Sequence, residues 1–128
     1  MDPRYVRFVE SWNQREFFDC HEAMEDLWLQ TSGLERQFYQ GLALAAGAFL
    51  HLERKSLAGC RKLLPRAIEL LEDYPPRYLG FSLREFVETL AIWQARVELM
   101  GALEQIEFSP EMLPPLEAPQ NTSARRPV

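Results

Sequence analysis

The sequence is short of several features that mark common classes of protein. Its only two cysteines, Cys20 and Cys60, are too few for a disulfide framework, so we expect free thiols in a reducing compartment. The first residues, Met-Asp-Pro-Arg, contain no apolar signal core. The longest apolar run, residues 38–52, includes Gln40 and His51 and is shorter than the ~20 residues that cross a bilayer. These absences predict a cytoplasmic protein that does not span a membrane.

An excess of positive charge is also missing. The formal net charge is -5 and the sequence pI is about 5.1. Binding to nucleic acid or to an anionic membrane needs a basic surface, so neither partner is expected. The sequence contains no glycine-rich loop for phosphates and no recognisable Ser-His-Asp order, and we predict no cofactor.

Apolar residues repeat at helical spacing in five segments, and no alternating strand pattern competes with them. Asp2 is placed to cap the first helix, and Ser32, Ser56 and Ser82 precede the third, fourth and fifth. The apolar stripe of the fourth helix keeps its phase across Pro65, which predicts a kink and not an end. The predicted segments are residues 5–12, 16–30, 34–54, 57–71 and 83–100, with a loop at 73–81.

These segments predict an all-α, single-domain fold, a five-helix bundle or array. The second and third helices are joined by a short link at residues 31–33, so they should form a central antiparallel hairpin. The third helix is apolar on two faces and should be the most buried element. We place the helical domain at residues 1–108. Residues 109–128 form a proline-rich C-terminal tail, predicted to be extended or disordered and to add little to the core.

The second helix carries an unusual group of polar residues. On a helical wheel, His21 falls at the centre of a stripe that includes Phe17, Phe18, Met24 and Trp28. Glu25 lies about 40° from His21 on that wheel, and Glu22 lies at the edge of the stripe. A histidine and a carboxylate within an apolar stripe indicate a buried polar network or a functional site.

The hairpin brings further polar residues to the same height. Counted outward from the turn, Glu25 lies level with Gln40, and Arg36 lies within about one turn of Glu25. His21, Glu25, Arg36 and Gln40 are therefore predicted to meet, with Glu22 joining from the rim. His51 lies about 12 Å farther along the axis than His21, so the two histidines should not share one metal ion. Trp28 and His51 are peripheral candidates.

The residues around this cluster resemble a known family. The segment FDCHEAMEDLW at residues 18–28, followed by Arg36, Gln40-Gly41 and His51, is similar to domain of unknown function family 309, whose members are small, helical and mostly bacterial. The resemblance covers about residues 8–71 and implies an all-α fold but no established activity. The sequence departs from the family pattern at Leu44, where a glutamine is common, and at Lys55-Ser56, where Gly-Asn is common.

Three classes of function fit the cluster. The first is a non-catalytic interaction protein, one form of which is a homo-oligomer or dimer, with the cluster serving structure. The second is a module that binds a small polar ligand. The third is a small hydrolase or lyase that uses Glu25 or His21 as a base. We rank them in that order, which favours a protein that is not an enzyme.

A metal site and a thiol nucleophile are not expected at the cluster. The Glu-x-x-His order of di-metal helical bundles is absent, and zinc hydrolases usually supply three ligands in which Cys or His dominates. Cys20 and His21 are adjacent on a helix, so their side chains diverge by about 100°. An ion pair between Glu25 and Arg36 that fixes the helix register is the structural alternative to a ligand site.

Overall fold

The computed structural model describes residues 1–119 and confirms the all-α fold class, with five α-helices and a small β-hairpin in that range. The helices are α1 (Pro3–Asn13), α2 (Phe17–Leu29), α3 (Leu34–Glu53), α4 (Leu57–Leu71) and α5 (Leu83–Leu103), the strands are β1 (Arg77–Tyr78) and β2 (Phe81–Ser82), and Pro110–Met112 forms a short 3-10 helix. Within residues 1–119, none of the helices combines the length and the apolar character that crossing a bilayer requires.

The helix starts follow the sequence signals in part. Asp2 Oδ1 accepts a hydrogen bond of 2.8 Å from a backbone N–H in the first turn of α1, and Ser56 caps α4 in the same way at 3.3 Å. The prediction that Ser32 caps α3 is wrong, because Gly33 takes the cap position with φ 86°. Ser82 does occupy the cap position of α5, but its side chain makes no capping hydrogen bond.

The core forms around α3, as predicted. Leu42 and Phe49 are fully buried, and α3 packs against both α2 and α4. The Phe49 ring lies 5.7 Å from that of Trp12, 6.0 Å from that of Trp93 and 5.9 Å from that of Phe108, between ring centroids. This aromatic cluster joins α1, α3 and α5, so α3 is the element on which the other helices assemble.

Two glycines allow α3 and α4 to approach closely. A Cβ atom added at Gly41 would lie 2.6 Å from Leu71 Cδ2, and one added at Gly59 would lie 2.5 Å from His51 Cγ. Both distances are shorter than any normal contact, so a larger residue at either position would push the helices apart. As the sequence predicts, α4 continues past Pro65, whose side chain is exposed.

The predicted loop before α5 contains a short β-hairpin. Arg77 pairs with Ser82 and Tyr78 with Phe81, and the turn between the strands places Leu79 at φ 48° and Gly80 at φ 74°. Each strand has two residues, which is too short to produce an alternating pattern in the sequence.

Part of the predicted tail belongs to the core, which corrects the expectation that it adds little. Leu113 is buried, and Phe108, the last residue of the predicted helical domain, leads into this segment from the aromatic cluster. Asn13, at the end of α1, donates to the Leu116 carbonyl oxygen at 2.8 Å and accepts from the Leu116 N–H at 2.7 Å. The chain through Leu116 is therefore fixed to α1. The rest of the predicted tail, residues 120–128, lies outside the described residues, and a domain boundary at residue 109 stays a prediction.

Candidate functional site

His21 links α2 to α3 through both of its ring nitrogens. Nδ1 lies 3.0 Å from the Ala43 carbonyl oxygen, and Nε2 lies 2.8 Å from Glu25 Oε2. A carbonyl oxygen only accepts hydrogen bonds, so Nδ1 carries a proton. Nε2 faces the Glu25 carboxyl group, so the imidazole lies between a backbone carbonyl of α3 and a side chain of its own helix. The predicted contact between Glu25 and His21 is therefore present.

Gly47 makes room for the His21 ring on the surface of α3. A Cβ atom at Gly47 would lie 3.4 Å from His21 Nδ1 and 3.1 Å from Leu63 Cδ1. Side chains of α2 and α4 thus meet above the bare backbone of α3 at this point. The absence of a side chain at residue 47 allows the imidazole to reach the Ala43 carbonyl one turn away.

The pair is less buried than the helical wheel indicates. The His21 side chain is 30% exposed and the Glu25 side chain 44%. The buried residues of α2 are Phe17, Cys20, Ala23, Met24 and Leu27. The placement of His21 at the centre of the core stripe is therefore wrong, because the covered face of α2 is rotated toward Cys20 and Leu27. His21 and Glu25 lie on its half-exposed flank.

Arg36 does not join this pair, contrary to the prediction. Its Nη1 donates to the carbonyl oxygens of Trp28 at 3.3 Å and Thr31 at 3.1 Å, just where α2 ends. Its Cζ also lies 5.4 Å from the centroid of the Trp28 ring. Arg36 therefore satisfies backbone carbonyls left free at the end of a helix and stacks on an aromatic ring, which is a structural role.

The remaining candidates lie apart from His21 and Glu25. Gln40 is half-buried, and the hydrogen bonds found within residues 1–119 include none between it and Glu25. Glu22 is exposed and faces α1, where it helps to line a cleft of about 240 Å³ with Arg4 and Arg7. His51 packs against Gly59 at the junction of α3 and α4, apart from His21 as predicted.

The two cysteines lie in apolar surroundings. Burial raises the pKa of Cys60 to about 12 and also raises the pKa of Cys20, whose thiol donates to the Phe8 carbonyl oxygen at 3.4 Å. Both thiols are free, and both stay protonated near neutral pH, which makes them poor nucleophiles. Among residues 1–119 there is no group of three or more His, Cys, Asp or Glu side chains arranged to hold a metal ion.

An exposed apolar surface on α5 is a feature that the sequence interpretation missed. Ile92 is 55% exposed, Leu99 59% and Leu103 63%, and Met112 beside them is 51% exposed. The signal is present in the sequence, since these α5 residues form a second stripe opposite the buried stripe that contains Leu90, Trp93 and Val97.

The fold and the His21–Glu25 pair define a small helical protein with a polar contact between its second and third helices. Residues 5–63 match the sequence model of the family described as Domain of unknown function (DUF309), which confirms the resemblance. Over those residues the chain is similar to this family. The match contains every residue of the predicted cluster and ends within α4, so α5 lies outside it.

A curated relative extends the similarity beyond the family match. Over 101 residues, the chain is 27% identical to "Uncharacterized protein YpuF" of Bacillus subtilis (strain 168). The aligned region covers 77% of this chain and 58% of the relative, so the chain spans little more than half the length of that protein. Neither comparison names an activity.

Proposed function

We propose that this protein is a non-catalytic interaction protein, in which the His21–Glu25 pair holds the helices together and the outer face of α5 binds a partner. The observation that carries the proposal is the cluster of large apolar side chains on that face. Ile92, Leu99 and Leu103 are each more than half exposed. Together with Met112 they present on the order of 400 Å² of apolar surface, and contiguous patches of this size commonly mark interaction sites.

The polar cluster supports the same proposal, because His21 and Arg36 already have hydrogen-bond partners within the chain. Both His21 ring nitrogens have partners within the protein, and the Arg36 guanidinium is bound to backbone carbonyls of the α2–α3 link. A general base needs a free lone pair within reach of its substrate. For His21 to act as one, its Nε2 would first have to give up Glu25.

The same proposal places the protein in the cytoplasm. Cys20 and Cys60 are free thiols, buried in the core, and their pKa values are raised by burial. Such thiols act as small apolar residues and suit a reducing compartment.

A small polar ligand is the second candidate, and the exposure of the pair favours it. The His21 and Glu25 side chains are 30% and 44% exposed, so a ligand in solution has access to both. In this case the ligand would replace part of the present contact between Nε2 and Oε2. The effect of Glu25→Gln on stability separates the two candidates and is set out in the Discussion.

Site-specific photo-crosslinking in living cells tests the proposed interaction. A photoreactive amino acid is placed at Ile92 on the outer face of α5. The matched control carries the same amino acid at Leu34, which is 80% exposed but lies at the start of α3. We expect a discrete crosslinked protein from position 92 and none from position 34. If position 92 yields no discrete product, or both positions yield the same products, the face is not a binding surface and the proposal fails.

A further inference from the structure

We propose that the partner bound by the outer face of α5 is a basic amphipathic helix of another protein; this inference rests on the proposed function. The face, which we call the α5 outer face, is a stripe of three exposed apolar residues, Ile92, Leu99 and Leu103, with carboxylate groups beyond each end. The three residues are separated by seven and four positions, so they lie on one side of the helix. The groove beside the stripe, the charge at its ends and its size together indicate this partner.

A groove runs along one side of the stripe. Residues 105–112 pass beside the end of α5, and a cavity of about 280 Å³ opens between that segment and the helix. Its lining is mostly apolar and includes the buried Trp93 and Met100 and the exposed Leu99, Leu103 and Met112. The flexible methionine side chains can adapt to the shape of an inserted apolar side chain. An amphipathic helix that lays its apolar stripe in a groove inserts side chains in this way.

Carboxylate groups lie beyond both ends of the stripe. Glu85 and Glu88 lie within two turns before it, and Glu104 and Glu107 follow it. All four residues are exposed, and none of them belongs to an ion pair within residues 1–119. A partner helix with Lys or Arg at both ends of its own apolar stripe would supply the opposite charges.

The arginines near the face leave this acidic character in place. Arg61 of α4 donates to both Glu98 carboxylate oxygens at 3.1 Å, so these two charges offset each other. Arg96 lies with its Cζ 4.7 Å from the Trp93 ring centroid, which holds its guanidinium against a ring of the protein itself. Arg84 and Arg96 are thus two cations against the four carboxylates, and the excess charge is negative.

The charge and the size of the face disfavour other occupants. Nucleic acid and anionic membranes are repelled by an acidic margin. A second copy of the chain would set each acidic margin against another of the same charge. The apolar surface, on the order of 400 Å², is also smaller than the ~800 Å² that each partner buries in a standard interface. A single helix of about 16 residues matches the ~24 Å between Glu88 and Glu104.

Selection from a peptide display library tests the preference for a basic helix. The library consists of helical peptides of about 16 residues with a fixed leucine stripe, and the positions at both ends of the stripe vary among Lys, Glu and Gln. We expect the wild type to enrich peptides with Lys at both ends, and Leu99→Ser, which removes the apolar centre of the face, to enrich none. If the wild type enriches no peptide, or enriches Glu or Gln as often as Lys, the inference is wrong.

Fluorescence anisotropy with the most enriched peptide measures the contribution of the carboxylates. We expect the double variant Glu88→Gln, Glu104→Gln to bind about five- to tenfold more weakly and with a smaller dependence on salt. The matched control, Glu10→Gln with Glu53→Gln, changes two exposed carboxylates of α1 and α3 and should bind like the wild type. Equal weakening in both double variants would indicate a general attraction to an acidic protein and refute the inference, as would unchanged binding in both.

The proposed function and this inference fail in distinguishable ways. Mass spectrometry of the product crosslinked from position 92 identifies the segment of the partner that contacts the face. A basic segment with apolar residues at helical spacing supports the inference. An acidic segment, a segment without that spacing, or a second copy of this chain would overturn it and leave the proposed function standing. Absence of any discrete crosslink from position 92 would overturn both.

Discussion

Replacing Gly47 with alanine tests whether His21 is held in place by the bare backbone of α3. An added Cβ atom would lie 3.1 Å from Leu63 Cδ1 and 3.4 Å from His21 Nδ1. Alanine is favoured over glycine inside a helix by about 0.5–1 kcal/mol. Against this gain, overpacking costs about 1–3 kcal/mol, and the hydrogen bond from His21 to Ala43 is worth about 1 kcal/mol. We expect the free energy of unfolding to fall by about 1–3 kcal/mol.

Urea unfolding followed by circular dichroism measures this change, with Gly101→Ala as the matched control. At Gly101 the nearest atom to an added Cβ is the flexible end of Arg61, at 3.4 Å, so the free energy of unfolding should stay the same or rise by up to about 1 kcal/mol. In a double-mutant cycle with His21→Ala, the penalty of Gly47→Ala should shrink by about 1 kcal/mol. If Gly47→Ala stabilises the protein as much as Gly101→Ala does, and the cycle shows no coupling, the role given to Gly47 is wrong.

Three further predictions concern the site, the tail and the thiols. Glu25→Gln should lower the free energy of unfolding by about 0.5–1 kcal/mol in urea melts, because the ion pair is half-exposed, whereas unchanged or raised stability would favour the ligand site. Leu113→Ala should lower it by about 2–4 kcal/mol, while Met112→Ala, its exposed neighbour, should change it by less than about 0.5 kcal/mol; equal effects would contradict the packing of the tail. Burial keeps the thiols of Cys20 and Cys60 protonated, so an aromatic disulfide reagent should react with them slowly near neutral pH and quickly in urea; fast labelling of the native protein would exclude this environment.

The helices were predictable because each has a long apolar stripe, and α3 was predictable as the central element because both of its faces are apolar. The face of α2 that the neighbouring helices cover was not predictable from the sequence. Its apolar residues extend over two adjoining arcs, one through Phe18 and Trp28 and one through Cys20 and Leu27. A helical wheel cannot show which arc the neighbouring helices cover. In the structure, α1 and α3 cover the arc with Cys20 and Leu27 and leave Phe18 exposed.

The contact between His21 and Glu25 was predictable from the sequence, whereas the partners of Arg36 and Glu22 were not. Spacing along one helix was enough to join His21 to Glu25, since residues four positions apart share a face. Counting heights across the hairpin also placed Arg36 near Glu25, but it cannot show which acceptors compete for a long side chain. In the structure, the Arg36 guanidinium donates to the carbonyl oxygens of Trp28 and Thr31 at the end of α2 instead. The prediction for Glu22 was wrong because a residue at the edge of the stripe can face either α1 or α3. In the structure, Glu22 faces α1.

The hydrogen bonds between Asn13 and Leu116 bear on the order in which the protein folds. They join positions 103 residues apart in the chain, whereas α2 packs on α3, and α3 on α4, across short links. Contacts between distant positions have a larger entropy of loop closure and generally form after local ones. We therefore expect the α2–α3–α4 packing to form early and the end of α1 to become protected from hydrogen exchange only once the segment around Leu116 has docked. During synthesis on a ribosome, the helices would therefore pack before the end of α1 can form its hydrogen bonds with Leu116.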